Sequence, residues 1–127
     1  MIAGIGLDVL EVDRVRNILE RWGDRFLKRV LTANEIEYCR RHTDIAPYVA
    51  VRVAAKEAFF KATGLGLSDG MAWRQVIVER EERGKPCIAL SGRAAEVIRE
   101  MRVDAMQVTL SHAHNVAAAV VILERCG

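Results

Sequence analysis

Residues 47–63, PYVAVRVAAKEAFFKAT, constrain this chain more than any other stretch. Pro47 suits the first turn of a helix, and Gly64 closes it through its tolerance of a left-handed conformation. Between them Val49, Val53, Ala54, Ala58, Phe59 and Phe60 leave only a narrow polar strip. A helix so apolar around its circumference belongs to a core. Glu57 and Lys61, four apart and on one face of it, therefore lie at the edge of a core or a cleft.

The remaining chain must supply what packs around that helix. Residues 2–9, IAGIGLDV, read as a buried strand ending near Asp8, with Gly4, Gly6 and Asp8 on one face. From Asp13 the period becomes helical, with Val15, Ile18, Leu19 and Trp22 on one side and Gly23 ending or bending the helix. A short helix follows with Phe26, Leu27 and Val30, and Thr32 with Glu35 forms a capping box for another. The glycine-rich GLGLSDGMAW is a loop. Beyond it, residues 75–79 and 87–90 predict strands paired across a turn at 83–86, and Ser91 predicts the cap of a helix through Met101. Two last strands, 106–111 and 116–123, are joined by the tight connection His112 to Asn115. Clustered helices with adjacent strand pairs predict an α+β domain spanning residues 1–127, a mainly antiparallel sheet with helices packed on it.

With 127 residues, 51% of them hydrophobic, the chain has material for one core. A net charge of +2 does not mark a nucleic-acid binder. Cys39, Cys87 and Cys126 are odd in number and lack a C-x-x-C pair, so neither a disulfide framework nor a zinc site is expected. The absence of a basic leader and of a long apolar run points, with the cysteines, to a cytoplasmic protein without a membrane span.

Several residues can carry chemistry. Asp8, a carboxylate ending an apolar strand, needs a partner such as a cation, and the glycines beside it would let a bulky ligand approach the backbone. An aspartate merely ending a strand would look the same locally. The third glycine of a dinucleotide fingerprint is missing, so a Rossmann reading fails. Glu57 and Lys61 can be a solvated ion pair, or, if Asp8 converges on Glu57, two carboxylates of a magnesium site with a lysine for a phosphate. Arg52 and Lys56 are like charges four apart, stable either as solvated cations or with an anion between them. Between residues 14 and 29 six cations, among them Arg14, Arg21 and Arg25, face two carboxylates, a solvated helix surface or a docking face for an acidic partner. His112 and His114 share a side only if a strand runs through both, and no nearby carboxylate or cysteine completes a transition-metal set.

Taken together, Gly4 to Glu11, Leu31-Thr32 with Glu35, the block Arg52 to Lys61, Gly84-Lys85-Pro86 and Ser111-His112 resemble the holo-acyl-carrier-protein synthase family. These are the short 4'-phosphopantetheinyl transferases, and the resemblance spans nearly the whole chain. Val53 and Val116 depart from it, since aromatic residues are frequent at both positions.

The resemblance implies a magnesium-dependent enzyme that transfers phosphopantetheine from coenzyme A to a serine of apo acyl carrier protein and releases adenosine 3',5'-bisphosphate. It implies Asp8 and Glu57 as magnesium ligands and Glu57 and Lys61 as catalytic residues. Arg52, Lys56, Gly64, Lys85, Pro86, Ser111 and His112 are implied around coenzyme A, and Arg14, Arg21 and Arg25 against the carrier protein. It further implies a homotrimer with active sites between subunits, and neither nucleic acid nor membrane as partner. A competing reading, a non-enzymatic module docking acidic proteins or nucleic acid on its basic helix, explains the arginines but leaves Asp8 and Glu57 without a purpose.

Overall fold

The computed structural model describes residues 1–126. Strand β1 (Ile2–Glu11) runs directly into helix α1 (Val12–Trp22), followed by α2 (Asp24–Val30), α3 (Ala33–Arg40) and the long α4 (Ala46–Thr63). Two single 3-10 turns lead to β2 (Val76–Arg80) and β3 (Pro86–Leu90), then α5 (Gly92–Glu100), β4 (Ala105–Ala113) and β5 (Val116–Glu124). The architecture is α+β, and every strand pair is antiparallel. The strands form two sheets, a three-stranded one in the order β1-β5-β4 and the separate β2-β3 hairpin.

Helix α4 is the axis of the molecule, with 13 of its 18 residues buried, which explains why its sequence lacks a polar face. One core cluster lies between α4, the sheet and α5, around Phe59, Val76, Val97, Val121 and Leu123. The other lies between α4 and the first three helices, around Val15, Leu27, Val30, Leu31 and Val49. Gly64 follows α4 with φ 75°, the left-handed conformation that ends a helix.

Close packing of β1 on α4 is the reason for the alternate glycines. A methyl group at Gly6 would stand 1.9 Å from the Ala58 carbonyl oxygen, and one at Gly4 would stand 2.2 Å from that of Ala62. The space expected for a ligand is therefore taken by the helix backbone. Across the sheet, Ala117 and Ala119 continue the same small-residue surface.

Several boundaries differ from the sequence reading. β1 extends to Glu11 because β5 pairs with it as far as Val116. β4 likewise extends through His112, paired to Ala117, so the connection shrinks to His114 and Asn115. His114, at φ 53°, lies outside the strand and does not share a side with His112. Ser91 occupies the N-cap position of α5, yet its side chain makes no cap; the Ala94 amide donates to Gln75 Oε1 instead. Trp22, predicted on the buried face of α1, is 47% exposed. Among the described residues no helix is long and apolar enough to cross a membrane.

Candidate active site

Asp8 enters the inner face of the sheet two residues beyond Gly6, where β1 is still pressed against α4. Its carboxylate is buried. Oδ1 accepts a hydrogen bond from Lys61 Nζ at 3.0 Å, and the same ammonium donates to the Leu7 carbonyl at 3.1 Å. Oδ2 is buried with no hydrogen-bond partner. An anionic oxygen removed from water and left unpaired costs about 1–3 kcal/mol or more, so it marks a position where a cationic ligand would be stabilised.

Glu57 stands one turn before Lys61 at the same edge. Burial, then the negative charge of Asp8, push its carboxyl above the usual range, and Lys61 opposes them only in part. Two carboxylates and one ammonium thus share a small region, with more negative charge than the lysine balances. Hard oxygen donors with a deficit of positive charge suit Mg2+, which takes few protein ligands and completes its shell with water and phosphate oxygens. No cluster of three or more His, Cys, Asp or Glu occurs among the described residues.

Arg52 and Lys56 behave differently from either expectation. Lys56 is fully buried, and its ammonium donates to Glu35 Oε1 at 2.9 Å and to the Trp73 and Val76 carbonyls. All three hydrogens are used, and none is left for coenzyme A or for any anion shared with Arg52. The expectation that Lys56 contacts coenzyme A is therefore corrected. Glu35, across the pair, also accepts from Thr32 N and, through Oε2, from Val78 N. Burial lowers the Lys56 ammonium and the Glu35 charge opposes that shift.

Arg52 is 2% exposed, donates to the Tyr48 carbonyl at 3.1 Å and leaves its Nε without a partner. It lines a cavity of about 380 Å³ with Tyr38, Arg41, Glu79 and Arg80. The guanidinium of Arg52 lies 4.2 Å from the Tyr38 ring centroid, and those of Arg80 and Arg41 at 5.4 Å and 5.9 Å. Three guanidinium groups surround one ring, and Glu35 and Glu79 share the cavity lining with them.

His112 joins this side through aromatic contacts. It meets Tyr48 edge-on at 5.3 Å, Tyr48 stacks on His42 at 3.5 Å, and His42 abuts Tyr38. The turn holding Lys85 and Pro86 is attached here too, because Arg80 donates to the Gly84 carbonyl at 2.8 Å. Ser111, in contrast, is exposed on the opposite face of β4 from Val108.

The predicted residues thus separate into two groups. Asp8, Glu57 and Lys61 converge, with Gly64 just beyond on α4. Arg52 and His112 meet elsewhere, each against Tyr48, while the Lys85-Pro86 turn lies beyond Arg80 with Lys85 reaching Gln107; Arg52 is about 140° around the helix from Glu57. Tyr38, Arg41 and Arg80 were not anticipated, since nothing in their local spacing links α3 to β2. Arg14 and Arg21 on α1 and Arg25 on α2 are exposed, and the last two lie over the exposed Trp22 ring at 5.2 Å and 5.6 Å.

The site is thus an acid pair with an ammonium at one edge of α4, apart from a cavity lined by three guanidinium groups. The family follows from comparison with known proteins: a model described as the 4'-phosphopantetheinyl transferase superfamily matches residues 4–121, and the chain belongs to that family. A holo-[acyl-carrier-protein] synthase of Geobacter metallireducens is 42% identical over 98% of this chain and 99% of its own. A crystal structure of holo-[acyl-carrier-protein] synthase from Neisseria meningitidis superposes with a TM-score of 0.89 at 29% identity, covering 98% of this chain and 100% of that one. The Helicobacter pylori synthase in complex with coenzyme A gives a TM-score of 0.83 at 27% identity, over 94% and 99% of the two chains.

Proposed function

We propose that this chain transfers the 4'-phosphopantetheine group of coenzyme A to a serine of apo acyl carrier protein, with Mg2+ held by Asp8 and Glu57. The observation that carries the reading is the buried, unpartnered Oδ2 of Asp8 beside Glu57 and Lys61. Family membership supports the reaction class, and the coenzyme A complex of the Helicobacter pylori relative supports the donor.

Mg2+ bound there would neutralise the diphosphate and stabilise charge on the leaving group. The chain's own residues do the rest. Lys61 has two hydrogens occupied by Leu7 and Asp8 and presents the third to a phosphoryl oxygen. The serine oxygen forms a bond to the phosphorus that bears pantetheine, the bond from that phosphorus to the bridging oxygen breaks, and adenosine 3',5'-bisphosphate leaves with the electron pair. The serine proton would pass to a base at this edge, where Glu57 is the carboxylate at hand.

Arg52 and its cavity would receive an anionic part of coenzyme A, with His112, Ser111, Gly64 and the Lys85-Pro86 turn as further contacts. Since the Arg52 side and the Asp8 side face different directions, a complete cleft is best made by two copies. An exposed apolar row on β1, Ile5, Leu7 and Val9, each more than half exposed, with Val116 on β5, favours burial against further copies in a homotrimer. Arg14, Arg21 and Arg25 would meet the acidic carrier, and added salt would weaken that encounter. The three cysteines are free, which suits a reducing cytoplasm.

The test is direct: incubate the protein with Mg2+, coenzyme A and apo acyl carrier protein, and weigh the carrier by mass spectrometry. A gain of one phosphopantetheine is expected. An unchanged carrier mass would overturn the reading.

A further inference from the structure

Helix α1 begins without a cap of its own. β1 passes into it with no intervening loop, and Glu11, at the N-cap position, makes no side-chain cap bond. The first-turn amides are satisfied from 102 residues away, in the turn between β4 and β5. Val12 N donates to the Asn115 carbonyl at 2.9 Å, and Asp13 N donates to Asn115 Oδ1 at 2.8 Å. One residue thus supplies both a backbone and a side-chain acceptor to the start of α1, the task that a Ser, Thr, Asp or Asn at the N-cap ordinarily performs.

The place of this contact gives it consequence. Val116, next to Asn115, pairs with Glu11, and His112 lies three residues before Asn115 on the other arm of the hairpin. Asn115 therefore joins the end of the strand that carries Asp8, the hairpin that carries His112 and the helix that carries Arg14 and Arg21. An 11-residue helix is about 16 Å long, so a swing of roughly 10° at its first turn displaces its far end by about 3 Å. That displacement is large against the tolerance of an oriented attack, where even about 1 Å matters. Val12 and Val15 keep α1 packed on α4 whether or not the cap is present, so its loss changes the aim of the helix rather than its existence.

We propose that Asn115 is a positioning residue, which sets the angle of α1 and so aligns the carrier protein's serine with the Asp8 edge. The inference rests on the proposed transfer reaction. It is tested with Asn115→Ala and Asn115→Asp in steady-state assays that vary the carrier and coenzyme A separately, together with hydrogen exchange at the Asp13 amide. Asn115→Ala should raise KM for the carrier by about threefold to tenfold, leave KM for coenzyme A unchanged and accelerate Asp13 exchange. Asn115→Asp should restore both values, because its carboxylate oxygen accepts the same amide and suits a helix N-terminus. An unchanged carrier KM in Asn115→Ala would overturn the inference, as would unchanged Asp13 exchange, an equal rise in both KM values, or failure of Asn115→Asp to rescue. A wild-type protein that transfers nothing would instead overturn the functional reading, and this inference with it.

Discussion

Helix α4 carries two lysine–carboxylate pairs of nearly equal length and opposite character. Lys56 meets Glu35 at 2.9 Å with both side chains essentially unexposed, and Lys61 meets Asp8 at 3.0 Å with the lysine 54% exposed. In the first pair every ammonium hydrogen and both carboxylate oxygens have protein partners. In the second, Asp8 keeps a buried oxygen with none, and Glu57 adds another acid beside it. A saturated buried pair ties elements together, here α3, α4 and β2; an unsaturated one at an edge is prepared for something from outside. Distance alone would not have separated them.

The difference is broken most sharply by removing the acids at the edge. Asp8→Ala or Glu57→Ala should lower turnover of the carrier by more than about 100-fold, since losing even an outer partner of a metal ligand costs about 10–100-fold. Thermal melting of both variants should remain close to wild type. Next come the two lysines: Lys56→Met leaves Glu35 charged and buried without its partner, and should cost about 3–5 kcal/mol in denaturant unfolding. Lys61→Met leaves Asp8 Oδ1 unpaired as well, but at an edge where the lysine itself is half exposed, and should cost about 1–3 kcal/mol, less than Lys56→Met, while turnover falls. Equal stability losses in the two variants would erase the distinction.

Gly6→Ala probes the scaffold beneath the site. Its methyl group would enter the space of the Ala58 carbonyl, and neither backbone can yield cheaply. A loss of about 1–3 kcal/mol is expected by the same measurement, with Asp8 displaced and turnover reduced.

The smallest effect is a pH dependence. Glu57 has its carboxyl raised above the ordinary value of 4.5, so its charged form is disfavoured by the fold. Wild type is therefore penalised as pH rises through that ordinary value, and fully so above the raised one. Glu57→Gln lacks the charge. Melted in chelator, it should match wild type near pH 4 and exceed it at neutral pH, by on the order of 2 °C.

Where sequence reading succeeded, the signal was local. The Thr32–Glu35 capping box forms as predicted, and the helix running from the vicinity of Pro47 to Gly64 ends in the expected left-handed residue. Strand pairs also followed from alternation and turn residues. It failed where the deciding neighbour is distant in the chain. The spacing of Arg52 and Lys56 is the same whether they face water or a core, and Glu35, 21 residues before Lys56, decides it. The purpose of Gly4 and Gly6 depends on which backbone comes against them. Trp22 looked like core because its period matched Val15, although at the end of α1 nothing covers it. Asp8 and Glu57 were legible as acids in unusual settings, whereas the vacant lone pair of Asp8 required the packed fold.

In the proposed reaction Asp8 and Glu57 together hold one divalent cation beside a diphosphate. Calorimetric titration of Mg2+ into the protein saturated with coenzyme A, corrected for coenzyme A alone, tests it most directly. One Mg2+ per chain is expected for wild type, and none for Asp8→Ala or Glu57→Ala. Undiminished binding in either variant, with the fold intact, would contradict it.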